Sequence, residues 1–228
     1  MFPAQTLTFL RGLARNNNRD WFNARKEIYE TQLKAPMIAL IEQVNAELMD
    51  FAPEYVTDPK KSFYRIYRDT RFSADKTPYK THIAAIFPPR GFTKHSAAGF
   101  YFHVTPKNIG IAAGGYMPGP DELLAVRTWF AKNHAAFRKA AKGPEKLMGK
   151  LEGSTAARTP KGFDPKHPAD DLIRMKQWLY WTELDVKLAT SPKLLGELIK
   201  RFRVATPVIR MLNAGLGKSA SAQAAEID

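Results

Sequence analysis

The stretch that most constrains this chain is "GFYFHVTPKNIGIAAGG", residues 99–115. Its residues alternate, with Phe100, Phe102 and Val104 on one face and Tyr101, His103 and Thr105 on the other. That period of two belongs to a β-strand with one buried face. "TPKN" supplies a turn, and "IGIAAGG" returns as the hairpin partner. Gly114, Gly115 and Gly119, with Pro118 and Pro120, mark the exit. Two more runs read as extended: the aromatic "SFYRIYR" and the apolar "THIAAIF", closed by Pro88-Pro89. "MKQWLYWTEL" reads as a further strand or a strand-to-helix junction.

Helical periodicity flanks these strands on both sides. Thr6 is positioned to cap a short helix bearing Leu7, Leu10 and Leu13. "NNNRDW" interrupts it, and a second helix starts near Asn18 or Arg19, with Trp21, Phe22, Ile28 and Leu33 as its core side. Pro36 is expected to end or kink that helix. Met37, Leu40, Ile41, Val44 and Leu48 continue at helical spacing until "FAPEY". After the strands, Pro120 opens a helix whose apolar face is Leu123, Leu124, Val126, Trp129 and Phe130. A proline in the first turn has no hydrogen bond to lose. Asn133 is read as capping a further turn through Phe137, and residues 143–169 as an irregular surface excursion. Ser191-Pro192 suits a cap and first turn before Leu195, Leu198, Ile199 and Phe202, with Pro207 bending or splitting that helix.

Runs of one element type favour an α+β fold over an alternating parallel one. The expected architecture is a central antiparallel sheet with helices from the N- and C-terminal thirds packed against it. Residues 1–213 are expected to form a single domain and residues 214–228 a flexible tail. Apolar residues at 44% and charged ones at 25% suit a globular chain. No apolar run approaches the roughly 18–20 residues of a membrane span. Arg11, Arg15 and Arg19 precede the first acid, Asp20, but helix signals run through that segment, so it is read as part of the fold. The expected location is cytoplasmic. The absence of cysteine excludes disulfides, thiolate nucleophiles and cysteine–zinc sites.

Charge singles out one region. Residues 60–94 hold nine Lys/Arg against two Asp, which is about half of the formal +13. Within them lies "RIYRDTRFSADKTPYK", residues 65–80. Read as a strand, it puts Arg65, Tyr67 and Asp69 on one face; read as a helix, it clusters Arg65, Arg68 and Phe72. Unpaired buried charge is costly, so these cations must be solvated, paired or facing an anion. Asp69 and Asp75 are the local partners for five local cations, which leaves three over. Guanidinium groups suit bidentate contact with phosphate or carboxylate. The expected ligand-binding set is therefore Arg65, Arg68, Arg71, Lys76, Tyr79 and Lys80. A structural charge ladder with a wet basic edge is the competing reading.

The same stretch resembles the signature of the bacterial and fungal proteins grouped as domain of unknown function 2461. The residues that carry the likeness are Arg65, Arg68, Asp69, Arg71, Phe72, Asp75, Lys76 and Tyr79. The opening is similar too, through Phe9-Leu10, Leu13, Asn16-Asn17, Arg19 and Trp21-Phe22. So are Tyr101, His103, Gly114-Gly115, Pro118 and Arg127. The likeness spans roughly residues 5 to 213. It implies a shared fold and a shared site, and carries no activity with it.

Other chemistry is thinner. His103 beside Tyr101 is the strongest histidine, either as a hydrogen-bonded structural residue or as a general base. His82 and His95 lie near the basic stretch; His134 and His167 fall on a helix and a loop. No histidines have the spacing of a helical metal site, so neither metal nor cofactor is expected. The glycine-rich exit lacks G-x-G-x-x-G and the Walker pattern, and "GKS" at 217–219 lacks a strand–helix setting. Aromatics interleaved with cations are compatible with single-stranded nucleic acid.

The leading expectation is thus a phosphate-bearing anionic ligand, nucleotide or nucleic acid, held by residues 65–80. The alternative is an enzyme on a small anionic substrate, with His103, Asp69 or Asp75 handling protons. A third is a scaffold for an acidic protein. Whether the chain is an enzyme, and its oligomeric state, stay open at this stage.

Overall fold

A computed structural model of the chain describes residues 1–216. Most of the expected tail, and the "GKS" within it, lies outside the described residues.

The chain opens with α1 (Ala4–Arg15), α2 (Arg19–Asn23) and α3 (Lys26–Tyr29). The Asn18 side chain caps α2 by accepting from the Trp21 N–H at 2.9 Å. A π-turn over Glu30–Lys34 then leads without a break into α4 (Ala35–Phe51). Pro36 therefore does not stop the helix. A proline removes the N–H that would bond the carbonyl four residues back, here Gln32. Thr6 supplies the missing donor, since its buried hydroxyl donates to the Gln32 carbonyl. The expectation that Thr6 caps α1 is corrected accordingly: α1 starts at Ala4, and Thr6 ties it to the π-turn. A one-turn helix, α5 (Pro59–Ser62), follows, capped by Asp58.

"SFYRIYR" is not a continuous strand. Phe63 bridges Ala85, and Tyr67 bridges Tyr79, each as an isolated pair. Between them the chain folds back on itself, with Arg68 N–H donating to Pro78 O and Lys80 N–H to Ile66 O. Pro78 cannot donate in return, so no ladder propagates.

Four antiparallel strands follow in sequence order: β1 (Ile83–Phe87), β2 (Gly99–Val104), β3 (Asn108–Gly115) and β4 (Trp178–Asp185). The hairpin forms as read, with Phe102 opposite Ile111 and His103 opposite Gly110. Between β3 and β4 runs α6 (Pro120–Met148), 29 residues long. It passes through Asn133 and Gly143-Pro144, which the sequence reading took as a restart and a stop. Burial decides otherwise: Phe137, Ala141, Pro144 and Met148 are all buried. The irregular excursion begins after Met148 and holds the short α7 (Asp170–Ile173). After a 3₁₀ turn, α8 (Leu194–Ala214) continues past Pro207, so the proline does not split it.

The sheet face bearing Phe100, Phe102 and Val104 packs against α8. Phe202 stacks on Phe100 at 4.5 Å and meets Phe87 edge-on at 5.8 Å. All three rings are fully buried. Truncating such a side chain to alanine costs roughly 3–5 kcal/mol. One connected core runs from Phe2 to Leu216 and draws on helices from both ends of the chain. This is an α+β fold with an antiparallel sheet and helices from both terminal thirds. Among the described residues, no helix is long and apolar enough to cross a membrane.

Candidate functional site

On the opposite face of the sheet lies a cavity that no helix residue lines among the described residues. Ala84, Ile86 and Ala112, all small or aliphatic, form its floor, with Tyr101, His103 and Trp181 standing above them. The segment 63–82 forms one wall through Tyr64, Lys80 and His82; the β1–β2 loop forms another through Lys94 and His95. Together they enclose a cavity of about 430 Å³. That lies within the usual range for small-molecule sites, about 300–1,000 Å³.

Two glycines set its shape. A Cβ on Gly110 would stand 2.6 Å from His103 Nε2 and 2.5 Å from the Trp181 ring. Only a hydrogen leaves room for both rings over β3. Gly114 has φ of +139°, and a Cβ there would meet the Trp178 carbonyl at 2.0 Å.

The charge in the cavity comes from two lysines. Lys94 Nζ lies 4.3 Å from the Tyr64 ring centroid, and Lys80 Nζ lies 5.2 Å from the same centroid. Lys80 donates to Arg65 O at 3.1 Å, and Lys94 to Phe63 O at 3.5 Å. Neither forms an ion pair with a carboxylate among the described residues. Both are held below the usual lysine range, chiefly by burial, and Lys80 also by Arg65 and Lys94. Burial likewise pushes the Tyr64 hydroxyl up to about 12 and raises Tyr101 further.

Three histidines at the cavity, His82, His95 and His103, are shifted toward the neutral form, chiefly by burial. Burial, then His103 and Lys80, lower His82 to about 4. Burial lowers His103 too, with Glu183 opposing. Glu183 is exposed and accepts from the Asn108 amide at 2.6 Å, so it does not neutralise the basic stretch. Tyr101 Oη lies 3.0 Å from His103 Nδ1, and the His82 and His103 rings are 5.4 Å apart. Burial favours the uncharged forms of Tyr64, Tyr101, His82 and His103, so the lysines set the sign of the site.

Of the six residues expected to bind the ligand, Lys80 lines this cavity and the other five do not. Arg68 donates to Asp75 and to the Thr77 side chain. Arg71 is paired with Asp69 through Nε at 3.0 Å and a terminal nitrogen at 2.7 Å. Arg71 holds Asp69 at about 2, and the Thr77 backbone N–H, followed by Arg68, holds Asp75 at about 2. Lys76 donates to Thr70 O, and Arg65 is exposed. Tyr79 is 3% exposed and stacks on Phe22 at 4.1 Å. Its backbone is clasped by Asn17, which donates to Tyr79 O and accepts from Tyr79 N–H. The expected convergence of the arginines is therefore replaced by a self-paired loop, docked through Tyr79, that presents Lys80 inward. Of the three residues expected to handle protons, His103 lines the cavity; Asp69 and Asp75 do not.

Sequence reasoning did not assign Lys94, Tyr64, His82, His95 or Trp181 to the site. Alternation along β4 places Trp181 on the same face as His103, but Tyr64 and Lys94 reach it from separate loops. His134 and His167, on α6 and in the loop before α7, approach to 5.6 Å without joining this cavity.

Fold and site together define an α+β protein with a lysine-bearing cavity on one face of a four-stranded antiparallel sheet. The chain belongs to the family described as conserved hypothetical protein (DUF2461), whose model matches residues 5–211. Comparison with curated proteins and with solved structures gave no match.

Proposed function

We propose that this chain binds a small phosphate-bearing ligand of nucleotide size in the cavity under Tyr64. One observation carries the reading: Lys80 and Lys94 converge on one ring at the cavity wall, half-buried and without a carboxylate partner among the described residues. Ammonium groups are effective point-charge partners for phosphate. Tyr64, Tyr101 and Trp181 offer flat apolar surface to the rest of the ligand. A concave site bounded by two loops favours a monomer over a polymer strand. A cytoplasmic location goes with this reading, since phosphate-bearing metabolites are abundant there.

The test is calorimetric titration with a nucleoside monophosphate and with a single-stranded oligonucleotide, each at two salt concentrations. The monophosphate binds, and Lys94→Ala weakens that binding while melting stays normal. Tight, steeply salt-dependent binding of the oligonucleotide alone would overturn the proposal.

A second reading, an enzyme acting on such an anion, is favoured by the hydrogen bond between Tyr101 Oη and His103 Nδ1. A buried phenol next to a neutral imidazole can pass a proton to a bound ligand. Turnover of a phosphate ester or related anion, lost in His103→Ala and Tyr101→Phe, is its signature.

A further inference from the structure

The two lysines are chemically unlike, and the difference goes beyond anion binding. Lys80 has two cationic neighbours, Arg65 and Lys94, and its Nζ is fixed by the Arg65 carbonyl at 3.1 Å. Lys94 approaches the Tyr64 ring more closely, at 4.3 Å against 5.2 Å. A lysine desolvated beside other cations gives up its proton more readily and becomes a nucleophile. An amine that donates one N–H to a carbonyl keeps its lone pair free for attack.

The geometry points to Lys80 as a carbonyl-reactive amine that forms a Schiff base with an aldehyde or ketone held in the cavity by its anionic group on Lys94. The inference rests on the anion-binding reading and adds the ligand's second functional group. In the first step the neutral Nζ attacks the carbonyl carbon. A C–N bond forms, the C=O π bond breaks, and the oxygen takes a proton, giving a carbinolamine. Tyr101, which lines the same cavity and is hydrogen-bonded to His103, is the proton donor. The now cationic Nζ returns one of its two protons to the Tyr101 phenolate, its second proton passes to the departing hydroxyl, which leaves as water, and C=N remains. The balance is one amine and one carbonyl giving one imine and one water, with no oxidant or reductant.

The probe is pyridoxal 5′-phosphate, which combines a phosphate, a flat ring and an aldehyde. The full chain is incubated with it at neutral pH, reduced with borohydride, digested and mapped by mass spectrometry. The expected result is a dominant mark on Lys80, suppressed by excess nucleoside monophosphate. Lys80→Arg keeps the positive charge but has no reactive amine, and the mark on that peptide falls about tenfold or more. Lys187→Arg, an exposed control remote from the cavity, leaves the Lys80 mark unchanged. Melting curves establish that each variant is folded. Marks spread evenly over surface lysines, unaffected by the monophosphate, overturn the inference. If the monophosphate still binds in that case, the anion-binding reading stands and only the Schiff base falls. If it does not bind, both fall.

Discussion

The Lys94 ammonium stands 4.3 Å from the centroid of the Tyr64 ring, which joins a residue of the β1–β2 loop to one that precedes β1. Lys80 approaches the same ring at 5.2 Å, so one aromatic residue orients both cavity cations. Tyr64→Ala is expected to weaken monophosphate binding about 2–30-fold, from a cation–π contribution of roughly 0.5–2 kcal/mol. Tyr64→Phe keeps the ring and is expected to bind like the parent chain. Calorimetry on both variants separates the ring from its hydroxyl.

Arg68 and Lys94 should behave oppositely. Arg68 is bound up with Asp75 and Thr77 at the base of a self-paired loop. Its replacement by alanine is expected to lower the melting temperature by a few degrees and leave monophosphate affinity within about twofold, as for a structural contact outside the site. Lys94→Ala is expected to do the reverse. Paired melting and titration of the two variants checks this, and loss of binding in Arg68→Ala with unchanged melting would restore the arginine stretch as the ligand site.

How much of this was legible in the sequence follows from which interactions are local. Alternation along β2 set the two faces, and the helix expected to start near Asn18 or Arg19 starts at Arg19. Counting Asp69 and Asp75 against five cations anticipated two pairs and three surplus charges, and the structure forms those two pairs with Arg71 and Arg68. Which surplus cation turns inward depends on Asn17 clasping Tyr79, a contact across 62 residues. Gly143-Pro144 looked like a stop because local propensity opposes helix there, but packing of α6 against α8 carried the helix on. The cavity itself was not legible. Periodicity identifies the face that holds His103, but not that Tyr64 and Lys94 arrive from two loops to enclose it.

Gly110 tests whether the cavity needs its present shape. An alanine there would push against Trp181 and His103 Nε2, both within 2.6 Å of the new Cβ. Overpacking of this kind costs about 1–3 kcal/mol. Gly110→Ala is expected to fold with a lowered melting temperature, to lose monophosphate binding, and to disturb the Trp181 fluorescence. A variant that melts lower yet binds normally would show that the His103–Trp181 wall is not part of the site.

The histidines predict a specific loss of stability in mild acid. His82 is lowered to about 4 from the ordinary 6.5, and His95 and His103 are shifted the same way. Below about pH 6.5 the unfolded chain takes up protons that the native chain still refuses, so the native state loses ground as pH falls. For His82 the loss continues to about pH 4, where the native ring also protonates. Each such histidine contributes a slope of at most about 1.4 kcal/mol per pH unit within its window. Asp69 and Asp75, lowered from 3.8 to about 2, act in a separate window, where their contribution is present above about pH 4 and lost as pH falls toward 2. Denaturant melts at half-unit steps between pH 7 and 4 should therefore show stability falling, and His82→Gln should flatten the curve. A parent curve that is flat across that range would mean that His82 is solvated in the native chain, and that the cavity is wetter and less able to depress its lysines.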